Sequence, residues 1–280
     1  MDKQLVDLFI KNAIAEDVGD GDHTSLSTIP AGTQGKAQLI VKEDGILAGV
    51  ELALEIFRQI DPALQVEVFL KDGDAVKVGD IAFVVAGSTH AILLAERLVL
   101  NCMQRMSGIA TKTHRIVTLL KPYKTQILDT RKTTPGLRYL EKWAVKIGGG
   151  VNHRIGLYDM ILIKDNHVDY AGGIANAIEA TNSYLAQNHK QLDIEIEVRN
   201  LAELRQVLAT GKVNRIMLDN FEPKLLKEAV KLIDGRFITE ASGGIVEANV
   251  ADYAACGVDY ISMGALTHSV KSLDLSLKAC

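Results

Sequence analysis

From Lys124 onward the chain alternates short apolar runs with segments of helical periodicity, and this alternation restricts the possible folds more than any other feature. Strands that are buried on both faces read as continuous apolar runs, and strands that alternate with helices form parallel sheets through right-handed crossovers. The pattern therefore predicts a β/α barrel. Its six runs are QILDT, DMILIKDN, DIEIEV, RIMLDN, RFITEAS and VDYISMG.

The residues before this region have a different character. An amphipathic helix at about 4–16, strand-like segments with Gly and Asp turns, and a helix at 50–60 together predict a small α+β unit. Long helical stretches follow, and a break near Ser107-Gly108 is expected as the boundary between the two parts.

Composition narrows the possible classes of protein. A chain of 280 residues with 48% hydrophobic and 24% charged residues is globular with a sizeable core. The net charge of -4 gives no general attraction to nucleic acid or anionic lipid. Three cysteines without disulfide or zinc spacing indicate reduced thiols, and no apolar run approaches membrane-spanning length. The N-terminus fits neither a signal nor a transit peptide. We therefore expect a cytoplasmic protein without nucleic-acid or membrane partners.

Each apolar run ends in residues that can carry out chemistry. In a β/α barrel the active site lies at the C-terminal ends of the strands, so one site could collect all of these side chains. The alternative is that strand ends are exposed and often polar in any protein. The residues are Asp129 with Arg131 and Lys132, Lys164 with Asp165, Glu197, Asp219, Glu240 with Ser242, and Gly264.

Residues 129–154 carry six Lys and Arg against two acids. A solvated helix face explains the three basic residues spaced four apart in 138–146. The pairs at 131–132 and 153–154 differ, because they follow a strand and a triple-glycine turn and can reach a ligand. Few aromatic residues interleave with the charges, which disfavours nucleic-acid binding.

The type of these cations indicates a polyanionic ligand. Arg131 and Arg154 can each hold a carboxylate or phosphate through paired N–H donors, whereas Lys132 and Lys164 act as point charges on phosphate oxygens.

Glu197 and Asp219 add negative charge at neighbouring strand ends. Two carboxylates can hold Mg²⁺ through waters and substrate phosphates, or hydrogen-bond sugar hydroxyls. Ion pairing with Lys164 or the arginines is the structural alternative.

Two Gly-containing loops follow the last two strands. Ser242, Gly243 and Gly244 lie before a helix expected from Val246, and SMGALTHS repeats this arrangement after the final strand. Backbone N–H groups at a helix start bind phosphate, and glycine allows close approach. Barrels often build a phosphate site there, although a plain turn would also explain the glycines.

Several segments together resemble the quinolinate phosphoribosyltransferase family, also called carboxylating nicotinate-nucleotide pyrophosphorylases. DTRKTTPG and HRIGLYDMILIKDNH are the most specific, and the resemblance spans nearly the whole chain. The other segments are ERLVLNCMQRMSGIAT, LDNF, EASGGI and GVDYISMGALTHS.

The resemblance implies an α/β fold with an N-terminal α+β open-sandwich domain at 1–107 and an incomplete β/α (TIM-like) barrel at 108–267, with a tail at 268–280 that returns to the first domain. It also implies a reaction. Quinolinate and phosphoribosyl pyrophosphate give nicotinate mononucleotide, pyrophosphate and CO₂ with Mg²⁺, in NAD biosynthesis. A homodimer with a shared active site is expected, and assembly of dimers into a hexamer is left open.

The family's functional residues can be carried over to matching positions. Catalytic roles fall to Lys132, Lys164, Glu197 and Asp219, with the two acids also at Mg²⁺. Arg97 would come from the partner subunit. A related molybdenum-associated phosphoribosyltransferase-like protein and a Schiff-base lyase using Lys164 are the alternatives, and a non-catalytic phosphate sensor is a third. The substrate-binding set is Arg97, Thr130, Arg131, Lys132, His153, Arg154, Lys164, Glu197, Asp219, Ser242, Gly243, Gly244, Gly264 and Ala265.

Overall fold

A computed structural model describes residues 3–280 and divides the chain into two compact units. The first contains the residues up to 114 together with 134–149 and 269–280, and the second contains 115–133 and 150–268. No helix among the described residues is long and apolar enough to cross a membrane.

Helices and strands alternate along most of the chain. In chain order they are α1 (Lys3–Val18), α2 (His23–Thr28), β1 (Gln34–Val41), β2 (Gly45–Ile46), α3 (Val50–Ile60), β3 (Gln65–Val68), β4 (Ala75–Val76), β5 (Ile81–Ser88), α4 (Thr89–Leu120), β6 (Gln126–Leu128), α5 (Arg138–Ile147), β7 (Ile161–Ile163), α6 (Asp165–Ala171), α7 (Ile174–Gln187), β8 (Ile194–Val198), α8 (Leu201–Thr210), β9 (Arg215–Asp219), α9 (Pro223–Ile233), β10 (Ile238–Ser242), α10 (Val250–Ala254), β11 (Tyr260–Ser262), α11 (Ala265–His268) and β12 (Leu275–Ala279).

The first unit is built on an antiparallel sheet with the strand order β12-β1-β5-β3. Alternate residues of β1 from Ala37 to Val41 are buried, as expected for a strand with one face on a core. Phe57 of α3 meets Phe83 of β5 edge to face, with ring centroids 5.8 Å apart. The C-terminal residues form β12, which pairs with β1 and so completes this sheet.

The predicted helix break at Ser107-Gly108 is wrong, because α4 runs without interruption from Thr89 to Leu120. Gly108 instead allows close packing on the C-terminal segment of the same unit. An added Cβ would overlap the carbonyl oxygen of Lys271 and lie 3.1 Å from the Cα of Ser272. A glycine inside a helix is tolerated when a neighbouring backbone needs the space of its missing side chain.

The second unit carries a six-stranded parallel sheet with the order β6-β11-β10-β9-β8-β7. Helices connect the successive strands from β7 to β11, as the alternating pattern predicts. Between β6 and β7 the described residues form no strand pair, and a single bridge joins Leu128 to Val151. The barrel is therefore incomplete, and the predicted fold class is confirmed.

The compact units do not follow a single cut in the chain. Helix α5 belongs to the first unit, although it lies in sequence within the predicted barrel range of 108–267. Lys142 of this helix is only 1% exposed, so the expectation that its basic residues form a solvated face is wrong for that position. Amphipathic spacing identifies a face but not which structure covers it.

Candidate active site

The end of β6 organises the loop that carries the predicted His-Arg pair. Asp129 is fully buried, and its carboxylate accepts hydrogen bonds from the backbone N–H of His153 at 2.8 Å and from Asn152 Nδ2 at 2.6 Å. Hydrogen bonds to a charged acceptor are stronger than neutral ones. The strand end therefore fixes the backbone at residues 152–153.

Arg154 and Arg131 lie near each other in the second unit. Burial lowers the pKa of Arg154, and the positive charge of Arg131 lowers it further. Arg154 Nη1 donates to the carbonyl of Met160 at 3.2 Å, which holds the side chain along the loop before β7. Two neighbouring guanidinium groups repel each other, and an anion between them would remove that repulsion.

Lys132 lies beside the Gly-containing loop after β11. An added Cβ on Gly264 would be 2.8 Å from Lys132 Cδ, and Thr267 Oγ1 donates to the carbonyl of Lys132 at 2.7 Å. The Thr130 hydroxyl accepts from the N–H of Lys132 at 3.0 Å. The C-terminal ends of β6 and β11, which are neighbours in the parallel sheet, thus bring these predicted residues together. Ala265 begins α11 next to them.

The two predicted acids lie near Lys164. Burial raises the pKa of both Glu197 and Asp219, and Asp219 raises that of Glu197 further. The positive charge of Lys164 partly opposes the rise in both pKa values, and the charge of Lys132 opposes the rise in the pKa of Asp219. Two carboxylates with a mutual repulsion and adjacent ammonium groups form a site of mixed charge, suited to a charged ligand.

The SGG loop follows β10 directly. Ser242 is the last strand residue and is in register with Asp219 of β9. Gly243 and Gly244 have positive φ angles of 91° and 62°, which favour glycine. The helix expected from Val246 begins only at Val250, because residues 247–249 form a turn that Asn249 closes by accepting the N–H of Val246.

Asn220 connects the acid at the end of β9 to this loop. Its Nδ2 donates to Asp219 Oδ2 at 2.6 Å, and its backbone N–H donates to the carbonyl of Ser242 at 2.8 Å. Its φ of 56° is uncommon for a residue other than glycine, and Asn tolerates this region better than most. The sequence interpretation did not select Asn220, although the dipeptide DN after a strand is a turn signal.

Arg97 belongs to the first unit. It is exposed on α4 and forms no ion pair within residues 3–280. Its predicted role toward a partner subunit stays a prediction.

A second group of charges lies inside the parallel sheet and was missed as a functional cluster. Glu195 and Glu240 are fully buried, and both lie close to the His153 ring. Burial lowers the pKa of His153, whereas the two carboxylates act in the opposite direction and raise it. Period-two alternation could have found Glu195, since it shares one face of β8 with Glu197, and acids on a buried strand are uncommon.

Comparisons with known proteins identify the family of this chain. The family models for the N-terminal and C-terminal domains of quinolinate phosphoribosyl transferase match residues 22–107 and 109–278. The chloroplastic nicotinate-nucleotide pyrophosphorylase (carboxylating) of Arabidopsis thaliana is 51% identical over 96% of this chain and 81% of its own. A probable enzyme of the same name from Bacillus subtilis is 44% identical over 94% of this chain and 89% of its own.

Solved structures give the same result for the fold. The nicotinate-nucleotide pyrophosphorylase from Francisella tularensis superposes with a TM-score of 0.93 at 39% identity, covering 100% of this chain and 98% of that one. Both family models, the identities to the named relatives and the paired cations and acids at the strand ends lead to one conclusion. The chain belongs to the quinolinate phosphoribosyltransferase family.

Proposed function

We propose that this chain is a decarboxylating quinolinate phosphoribosyltransferase, a pentosyltransferase of NAD biosynthesis. It transfers the phosphoribosyl group of phosphoribosyl pyrophosphate to quinolinate and yields nicotinate mononucleotide, pyrophosphate and CO₂. The observation that carries the proposal is the neighbouring pair Arg131 and Arg154, together with the acids beside Lys164, in a chain that both family models match.

Quinolinate is the ligand of the guanidinium pair in this proposal. Its two carboxylates match Arg131 and Arg154, each of which can donate two parallel hydrogen bonds. His153 lies next to Arg154 and contributes to the same pocket. Arg97 of a second subunit completes it, which makes the functional unit a homodimer with shared sites; assembly of dimers into a hexamer is compatible with this.

Phosphoribosyl pyrophosphate occupies the other part of the site. Its 5-phosphate binds the loops that contain Gly243 and Gly264, where the backbone can approach an anion closely. Thr130, Ser242, Gly244 and Ala265 supply further donors. Lys132 and Lys164 compensate the charge of the pyrophosphate. In this proposal the guanidinium groups bind the dicarboxylate quinolinate, and the lysine ammonium groups bind the pyrophosphate of the sugar donor.

Mg²⁺ fits the acids of this site. Glu197 and Asp219 offer the hard oxygen ligands that the ion prefers, and Asp219 already raises the pKa of Glu197 through the repulsion that a cation would relieve. These two residues would hold the ion, partly through water and pyrophosphate. When bound, Mg²⁺ supplies positive charge at the oxygens of the leaving pyrophosphate.

The chemistry needs little covalent participation by the protein. Arg131 and Arg154 orient quinolinate so that its ring nitrogen faces C1 of the sugar. Lys132 and Lys164 stabilise the charge on the departing pyrophosphate, while Glu197 and Asp219 stabilise the oxocarbenium-like sugar. The ring nitrogen then bonds to C1 and becomes a pyridinium, which accepts the electron pair released when the adjacent carboxylate leaves as CO₂.

A cytoplasmic location is part of the proposal. Three cysteines without a disulfide framework support a reducing compartment. The Arabidopsis thaliana relative is named as a chloroplastic enzyme, so fractionation of the source cells is the measurement that decides.

Turnover tests the function directly. The purified protein should form nicotinate mononucleotide from quinolinate and phosphoribosyl pyrophosphate, detected by chromatography, and chelation of Mg²⁺ should stop the reaction. A Schiff-base lyase would instead be trapped by borohydride at Lys164 without Mg²⁺. Phosphoribosyl transfer to some other acceptor, with quinolinate inert, would favour the molybdenum-associated relative. Phosphate binding without turnover of any acceptor would favour a sensor.

A further inference from the structure

A layer of charged side chains lies inside the parallel sheet beneath the proposed site. Glu195 of β8, Arg215 of β9 and Glu240 of β10 are neighbours, and Arg215 Nη1 donates to Glu240 Oε2 at 3.0 Å. The Arg215 guanidinium also lies 4.7 Å from the centre of the Tyr260 ring of β11. Both carboxylates are fully buried.

Charges at this depth need an explanation. Replacing a buried ion pair by apolar residues of similar volume is often neutral or stabilising, so stability alone does not account for them. The His153 ring, 8% exposed, is the group that connects this layer to the proposed pocket. Its Nε2 lies 3.0 Å from Glu195 Oε2 and 3.5 Å from Glu240 Oε2.

The other ring nitrogen points away from the carboxylates. His153 Nδ1 accepts the backbone N–H of Arg154 at 2.7 Å. A nitrogen that accepts a hydrogen bond carries no proton, so the ring proton is on Nε2, which lies within ion-pairing distance of both carboxylates without an aligned hydrogen bond to either. The same ring therefore contacts the buried layer at one nitrogen and the backbone of the proposed quinolinate loop at the other.

This proton arrangement argues against a metal ion among the three residues. Their ligand atoms lie within 4.8 Å of one another, which is close enough for a shared ion. However, a ligating Nε2 must be deprotonated and normally leaves Nδ1 as a donor, whereas here Nδ1 is an acceptor. Arg215 also already compensates the charge of Glu240.

We propose that Glu195 and Glu240 are positioning residues that act on quinolinate binding through His153. They hold the ring through their electrostatic contacts with Nε2, and the ring in turn fixes the backbone N–H of Arg154 and the direction in which the Arg154 side chain leaves the loop. This inference rests on the proposed function, because it assumes that the 153–154 loop meets quinolinate. Neither acid touches substrate.

A double-mutant cycle tests whether the acids act through His153. Glu195→Gln and Glu240→Gln remove charge while keeping side-chain shape, and His153→Asn keeps an acceptor for the Arg154 N–H while removing the Nε2 side. Calorimetry gives the Kd of each variant for quinolinate and, separately, for phosphoribosyl pyrophosphate. Glu228→Gln, an exposed acid on α9, is the matched control.

We expect each Glu→Gln change to weaken quinolinate binding on the order of tenfold in the wild-type background and less than about twofold in the His153→Asn background. Phosphoribosyl pyrophosphate binding should change by less than about threefold throughout, and Glu228→Gln should match the wild type. Equal losses in both backgrounds, equal losses for both substrates, or no loss would overturn the inference.

Two further measurements keep the test decisive. If Glu240→Gln fails to fold because Arg215 loses its partner, Glu195→Gln still carries the test, since it leaves that ion pair intact. Nitrogen-15 spectra of labelled histidine should show His153 as the Nε2–H tautomer, with the signal altered in Glu195→Gln. Stoichiometric metal that co-purifies with the wild type and is lost in Glu195→Gln would contradict the proposal.

The outcomes also separate this inference from the proposed function. If the wild-type protein binds and converts quinolinate while the cycle shows no coupling, only the role of the two acids is wrong. If the wild type neither binds nor converts quinolinate, the proposed function and this inference fail together.

Discussion

Replacing Gly243 by alanine should weaken phosphoribosyl pyrophosphate binding much more than quinolinate binding. The new Cβ would overlap Asn220 Oδ1 and lie 2.6 Å from Asn220 Cγ and 2.9 Å from its backbone nitrogen. Asn220 cannot stay in place, yet it donates to Asp219 Oδ2 and to the carbonyl of Ser242. The substitution therefore displaces the acid of β9 and the SGG loop together.

The cost has two parts. A side chain at a φ of 91° adds roughly 1–2 kcal/mol of backbone strain. Losing the hydrogen bond from Asn220 Nδ2 to a charged carboxylate adds about 1.5–3 kcal/mol. The two parts sum to roughly 2.5–5 kcal/mol, and we expect a loss in the free energy of unfolding near the lower end of this range, because the bond to Asp219 is exposed and some relaxation will occur.

Urea unfolding measures the stability change, and calorimetry measures the two affinities. Gly235→Ala is the control, because Gly235 has a φ of 68°, an added Cβ meets nothing within 4 Å, and the residue lies before β10 instead of after it. The Gly235→Ala protein should lose only the stability that backbone strain costs, and it should bind both substrates normally. A Gly243→Ala protein that binds phosphoribosyl pyrophosphate like Gly235→Ala would refute the proposed role of the loop.

Three other changes test separate parts of the account. Arg131→Lys should lose on the order of 2 kcal/mol of quinolinate binding, because lysine lacks the paired donors of the guanidinium; near-normal affinity by calorimetry would count against a bidentate contact. Arg97→Ala and Arg131→Ala should each be nearly inactive alone, but mixing them should restore about a quarter of wild-type activity through heterodimers with one intact site. If mass spectrometry confirms subunit exchange and the mixture stays inactive, Arg97 does not serve the partner's site. The hydrogen-bonded Arg58 lowers the pKa of Glu55 from 4.5 to about 2, so the small stability from this partly exposed pair is present above pH 4.5 and is lost as pH falls to about 2; the free energy of unfolding of Glu55→Gln should change less than that of the wild type across this range.

The sequence predicts the fold well where local pattern and topology agree. The apolar runs from QILDT to VDYISMG all became parallel strands, because continuous burial leaves few alternatives. Gly108 was misinterpreted, since its reason lies in the C-terminal segment more than 150 residues away in sequence, which no local window contains. The burial of Lys142 was not predicted either, because helical spacing identifies a face without showing which structure covers it.

The candidate site divides along similar lines. Arg131, Lys132, Lys164, Glu197 and Asp219 were predicted because strand ends of a parallel sheet converge at one edge. Glu195 is the second residue of β8, and Arg215 is the first residue of β9. The rule that active-site side chains lie at the C-terminal ends of strands therefore does not select them. The link between Asn220 and Gly243 depends on side-chain direction after two different strands, which follows only from coordinates.

The central claim is that phosphoribosyl transfer and decarboxylation are coupled in one site. Quinolinate labelled in the carboxylate next to the ring nitrogen should be incubated with the protein, phosphoribosyl pyrophosphate and Mg²⁺. The account predicts labelled CO₂ and pyrophosphate in a one-to-one ratio, and no CO₂ when phosphoribosyl pyrophosphate is omitted. Pyrophosphate release without CO₂, or CO₂ release without the sugar donor, would contradict it.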